Sequence, residues 1–173
     1  MTGKITTIAY YTFIEALRNR LFILTLTGLV CLLGVAEFAG ELAVTGSRGI
    51  QIWVPTARGP SFDETRAWVE QLSRTVGAVV PELLSWKWEV RSRGGKARLD
   101  YTQNAINKTL VAPYSPRAAA GAPVSAPISW DELDDPDLRP EGFTIRNVLD
   151  RVAERGDLFR GALLTQQALP PLT

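Results

Sequence analysis

Two short stretches hold most of the side chains able to act on a charged substrate. In TGSRG, residues 45–49, two glycines flank a hydroxyl and a cation just ahead of an alternating apolar stretch, IQIWVP. Close backbone approach together with an arginine is what a triphosphate needs, and the same five residues also suit an ordinary turn. In KARLDYTQN, residues 96–104, Asp100 stands in an otherwise apolar and basic run. There it is either a ligand for a divalent cation or the partner of a neighbouring arginine. Absences narrow the remaining chemistry. With no histidine and one cysteine in 173 residues, the chain holds no Ser-His-Asp or Cys-His machinery, no zinc site built on His or Cys, and no internal disulfide. Carboxylates, hydroxyls, Lys and Arg are what is left.

Charge is nearly balanced overall and uneven locally. The 19 basic and 18 acidic side chains give +1, so no global field marks a nucleic-acid binder. Between residues 84 and 117, seven basic residues (Lys87, Arg91, Arg93, Lys96, Arg98, Lys108, Arg117) face only Glu89 and Asp100, a local +5 with Trp86, Trp88, Tyr101 and Tyr114 interleaved. Between 131 and 141, six acids oppose Arg139, a local −5. The basic stretch suits a phosphate-bearing partner, or else the two stretches are solvated surfaces with compensating fields.

The elements that must position these groups fall into two unlike segments. Residues 21–36 form an uncharged run of sixteen, bounded by Arg18 and Arg20 before and by Glu37 and Glu41 after. This is one short of the transmembrane minimum of about 17. The run predicts a membrane-inserting helix with a cytoplasmic N-terminus, given Lys4, Arg18 and Arg20; a buried core helix is the alternative. After residue 45 the pattern changes. Residues 49–55 alternate like a half-buried strand, and 60–81 read as a helix starting at Ser61, with Asp63 and Glu64 in its first turn. Residues 96–104 and 108–115 read as strands. Pro113, Pro116, Pro123 and Pro127 make the next stretch extended and irregular, 129–133 are a short helix start, and 143–159 are a helix capped by Thr144 and ending at Gly156. The expected fold is α+β: the strands at 49–55, 96–104 and 108–115 share a sheet, and the helix at 61–79 lies on one face. The expected division is 1–45 as hydrophobic helix, 46–165 as the α+β domain and 166–173 as tail.

Read in order, TGSRGIQIWVP, RGPSFDETRAWV, ARLDYTQNAINKTLVAPYSPRAAAGAPVSAPISWDEL and FTIRNVLDRV closely resemble the C-terminal half of the polymerase domain of bacterial DNA ligase D. That domain is a member of the archaeo-eukaryotic primase superfamily, a nucleotidyltransferase active in non-homologous end joining. The resemblance covers residues 45 to about 160, and LDYTQN and KTLVAPYSPRA are its most specific parts. It implies DNA and a nucleoside triphosphate as partners and Mg or Mn as cofactor. It implies that Thr45 and Arg48 take the places of the family's phosphate-contacting serine and cation, and that Gln51 stands where a histidine is expected. It further implies that Asp100 is the third metal-binding aspartate, that Gln103 and Arg117 lie near the nucleotide, and that Lys108 is a phosphate contact.

The family's centre also uses an upstream Asp-x-Asp pair to hold two metals, and this chain has no aspartate before Asp63. Residues 5–48, with EALRNR, an apolar run and GELAVTGSR, resemble instead the first transmembrane segment of an ABC-type permease subunit. The implied product is a chimera with its junction at residues 45–48. It reads as a truncated end-joining polymerase domain that binds nucleotide or DNA without complete catalysis. The alternative is a single-pass membrane protein or permease fragment fused to a relic. Localisation follows the first segment: membrane-associated through residues 21–36 if that helix inserts, cytoplasmic otherwise.

Overall fold

The computed structural model describes residues 40–169, which form a mixed α/β fold in two compact units, one of residues 60–108 and the other of residues 40–59 and 109–169.

The second of these is the sheet unit. Strand β1 (Glu41–Val44) lies at the centre of a three-stranded antiparallel sheet, between β2 (Ile50–Trp53) and β3 (Pro127–Ile128). The register places Leu42 opposite both Ile52 and Ile128, and Val44 opposite Ile50. Alternation along the strands therefore gathers one apolar face. Leu42, Val44, Val124, Ala126, Ile128 and Val148 are buried together, with Tyr114 and Phe143 packed against them. Fully burying such a Leu, Val or Ile contributes about 1.5–3 kcal/mol. The valine comes from helix α2 (Val148–Arg155), which Gly156 ends at φ +73°. A shorter helix, α3 (Arg160–Leu164), follows and sets Phe159 edge-on to Trp53, 5.5 Å between ring centroids. Arg151 ties α2 to the sheet. It makes a paired contact to Glu132 (Nη1 to Oε1 2.7 Å, Nη2 to Oε2 2.5 Å), donates to the carbonyl of Pro127, and stacks 4.5 Å above Phe143.

The helix unit is built on α1, Phe62–Val79. Ser61 and Glu64 close a capping box: the Glu64 backbone N–H donates to Ser61 Oγ at 3.3 Å, and the Ser61 N–H donates to Glu64 Oε2 at 2.7 Å. Two orphan donors of the first turn are thereby satisfied, and the Ser61 N–H and hydroxyl, both donating to Glu64 Oε2, hold that carboxyl below its ordinary range. The buried side of the helix presents Val76, which packs with Val80, Leu84, Leu72, Ala97 and Leu99 of the same unit.

Several expectations hold. The helix at 61–79 starts at its predicted cap, 50–53 is a strand, and Gly156 ends its helix. Others are corrected. Residues 96–104 make a single bridge, Ala97 to Leu84, before Asp100 caps a 3-10 turn at Tyr101–Gln103. Residues 108–115 carry no strand; they follow Asn107 at φ +65° and turn at Tyr114, also φ +65°, a left-handed value that an extended run does not adopt. The sheet therefore draws its third strand from β3. The helix predicted to cover the sheet buries Val76 within its own unit. The junction expected at residues 45–48 is corrected too: those residues are the turn of one hairpin, with Thr45 N–H donating to Gly49 O at 2.9 Å, and β1 upstream pairs on both sides with strands downstream. The apolar run at 21–36 lies outside the described residues. Among the described residues, no helix is long and apolar enough to cross a membrane.

Candidate functional site

The sequence-predicted site residues divide between the units: Thr45, Arg48, Gln51 and Arg117 belong to the sheet unit, and Asp100, Gln103 and Lys108 to the helix unit.

In the sheet unit the β1–β2 turn is fixed at several points. Thr45 closes it twice, through the backbone bond to Gly49 and by accepting the Gly49 N–H on Oγ1 at 3.2 Å. Gly46 takes φ +66°, and a Cβ there would meet the Val124 carbonyl carbon at 3.0 Å. Only glycine gives both the left-handed conformation and the close approach. From the far side, Arg117 Nε donates to the Thr45 carbonyl at 2.8 Å, while its own backbone N–H donates to Pro123 O at 2.7 Å. The result is a pinned turn with Ser47 and Arg48 exposed at its tip. No described residue forms an ion pair with Arg48, so its guanidinium is available to an external anion. Gln51, one strand position beyond the turn, has a buried Oε1 with no hydrogen-bond donor among the described residues. A histidine there could bring a cation; a glutamine brings a neutral amide.

In the helix unit Asp100 is held from all sides. Oδ1 accepts from Thr102 N–H at 3.3 Å and from Thr102 Oγ1 at 2.5 Å; Oδ2 accepts from Gln103 Nε2 at 3.0 Å and lies 3.2 Å from Arg98 Nη1. Burial pushes this carboxyl up, but the bonds from Thr102 and Gln103 with the charge of Arg98 outweigh it, and the group sits below the ordinary aspartate range. The structure pairs this carboxylate with Arg98. A carboxylate offers about four lone-pair sites; three accept these hydrogen bonds, and the Arg98 guanidinium stands beside Oδ2 as an ion pair. Among the described residues, no three His, Cys, Asp or Glu side chains gather where they could hold a metal. In this arrangement the residues at Asp100 do not fit a divalent cation. Lys108 is exposed after the turn that follows.

The basic stretch is largely committed to its own unit. Arg91 pairs with Glu89 at 2.8 Å, Arg93 Nε donates to Lys87 O at 3.0 Å, and Lys96 Nζ donates to Pro81 O at 3.2 Å. Arg74 of α1, not singled out in the sequence, stacks 4.3 Å from the Trp86 ring centre and reaches the Tyr101 hydroxyl at 3.3 Å. Trp86 in turn lies where a Cβ on Gly77 would be, 2.6 Å from that position. Its only sequence signal was the interleaving of aromatics with cations.

A family model described as the LigD primase-polymerase domain matches residues 29–159. The chain is 37% identical over 115 residues to the multifunctional non-homologous end joining protein LigD of Mycolicibacterium smegmatis, covering 66% of this chain and 15% of that protein. It is 33% identical over 117 residues to the bifunctional LigD of Bacillus subtilis, covering 67% and 19%. The solved polymerase domain of Mycobacterium tuberculosis ligase D in complex with DNA superposes with a TM-score of 0.75 at 26% identity, covering 87% of this chain and 51% of that one. The chain thus spans under a fifth of these curated relatives and about half of the solved domain. The match begins at residue 29, inside the stretch that resembled a permease segment; that resemblance, and the membrane partner it implied, find no support.

Proposed function

We propose that this chain, which belongs to the LigD primase-polymerase domain family, takes part in DNA end joining by binding phosphates of DNA or of an incoming nucleotide at the β1–β2 turn. The observation that carries this reading is the pinned turn: Thr45, Gly46 and Arg117 fix its backbone, and Arg48 projects from it unpaired by any described residue. A preorganised cation loses little freedom on binding an anion. Thr45 Oγ1 and the amide of Gln51 are neutral groups close in sequence to that cation. The solved relative's complex with DNA supports the choice of partner. The same reading puts the chain with DNA in the cytoplasm, not at a membrane.

The family is generally metal-dependent, but no group of three His, Cys, Asp or Glu side chains gathers among the described residues, so the proposal assigns binding and not nucleotide addition. The test is fluorescence anisotropy of the full chain with a labelled duplex bearing a single-stranded overhang, and with a labelled nucleoside triphosphate. Arg48→Ala should weaken binding of at least one probe by roughly tenfold, the scale of one charge-assisted contact of about 1.5 kcal/mol. Unchanged binding of both would remove the turn from the site.

A further inference from the structure

We infer that Arg98 is the built-in counter-ion of Asp100 and is what keeps a divalent cation off that carboxylate. The inference deepens the reading of Asp100 as the family's metal position and rests on it, while the ion pair itself rests on geometry alone. Arg98 and Asp100 lie two residues apart, just ahead of the 3-10 turn that Asp100 caps. Nη1 of Arg98 lies 3.2 Å from Oδ2 of Asp100, with side-chain exposures of 12% and 31%. The guanidinium is seated, because its carbon lies 4.3 Å from the centre of the Trp88 ring. Stacking on an indole face holds a guanidinium in orientation as well as in place. The carboxylate also accepts from Thr102 and Gln103.

A divalent ion approaching Oδ2 would meet a fixed positive charge within contact distance and would have to displace the Gln103 amide. An arginine cannot shed its charge to make room. Removing the fixed charge from Oδ2 means unstacking Arg98 from Trp88. Arg98 is accordingly a positioning residue: it decides which state of Asp100 is presented.

The experiment uses the full chain, labelled with 15N, and Mn2+ alone as the probe, read as paramagnetic broadening of backbone amide signals. In the unaltered protein, amides of residues 100–103 should stay sharp at Mn2+ concentrations that broaden the exposed acidic loop around Asp135 and Asp137. In Arg98→Leu, which keeps an apolar contact for Trp88 and removes the charge, amides 100–103 should broaden at about tenfold lower Mn2+, the scale of removing one adjacent like charge near a protein surface. Arg98→Lys, which keeps the charge, should behave as the unaltered protein. Should Arg98→Leu lose dispersed signals outside residues 84–104, Arg98→Gln serves in its place. Broadening at 100–103 in the unaltered protein at the same Mn2+ as in the variant would overturn the role of Arg98 and leave Asp100 as a metal position. Broadening in neither would overturn both, and would leave the binding assigned to Arg48 untouched.

Discussion

The sheet unit and the helix unit use arginine in opposite ways. In the sheet unit, Arg151 and Arg117 are spent on backbone carbonyls and on one carboxylate, and that expenditure leaves the turn at Arg48 rigid and its cation open. In the helix unit the cations are spent on one another's surroundings: Arg74 on Trp86, Arg98 on Trp88 and Asp100, Arg93 on the carbonyls of its own loop. The +5 of residues 84–117 therefore overstates what the helix unit can offer a phosphate: Arg117 belongs to the sheet unit, and of the other six basic side chains only those of Lys87 and Lys108 have no partner among the described residues. Counting charges in sequence measures field; it does not measure free donors.

The largest effect that would break this comparison is expected at Arg151. Arg151→Ala leaves Glu132 buried without its partner, side chains that are 13% and 14% exposed in the pair, and should destabilise the full chain by about 3 kcal/mol in urea unfolding. Removal of an exposed pair, as in Arg91→Ala, should cost less than about 1 kcal/mol. Equal losses would erase the distinction between structural and solvated arginines.

Acid should act through the same pair. Burial pushes the Glu132 carboxyl up, but the bonds and charge of Arg151 and the bonds from Ser129 carry it below its ordinary value of 4.5. A depressed folded value means that the unfolded chain binds the proton more readily. The stabilisation is therefore present above the unfolded value and is lost as pH falls through the lower folded one. Glu132→Gln should flatten that part of the stability profile in unfolding curves taken across the acid range; an unchanged slope would mean the pair does not report on folding.

Smaller effects concern the glycines. Gly46→Ala should cost about 1–2 kcal/mol from its positive φ alone, with the Val124 contact added to it, and should lower the affinity of the turn for its phosphate partner together with stability. Gly77→Ala should change stability by less than about 0.5 kcal/mol, since a gain in helix propensity of about 1 kcal/mol offsets the loss of the Arg74 stack. Trp86, 40% exposed, has room to move, so the signature is a tryptophan fluorescence change without a comparable shift in midpoint.

How much of this was legible depended on whether the signal was local. Ser61 with Glu64, and Gly156, are local capping signals, and the structure uses them as written. TGSRG read as a turn before a strand, and it is one. β1 was missed because ELAV follows a long apolar run and continues it in hydropathy, which does not distinguish a central buried strand from a membrane segment. The false strands at 96–104 and 108–115 have β-rich composition, but the turn capped by Asp100 interrupts the first and the left-handed Tyr114 the second. β3 is two residues long and contains Pro127; only its pairing with β1 makes it a strand, and no sequence window contains that information. At the site, Arg48 and Asp100 were found from residue type, and the partner of Asp100 was named only as a neighbouring arginine. The clamp from Arg117 to Thr45, 72 residues apart, was beyond any local pattern.

The central claim is that the open cation is Arg48 and that the buried one, Arg98, is already committed. It is tested most directly by the salt dependence of overhang-duplex binding for the unaltered chain, Arg48→Ala and Arg98→Gln. Both variants remove one positive charge, so net charge does not separate them. If Arg48 touches a phosphate and Arg98 does not, the slope of log affinity against log salt falls by about one for Arg48→Ala and stays the same for Arg98→Gln. Equal slopes in the two variants, or a loss confined to Arg98→Gln, would contradict the account.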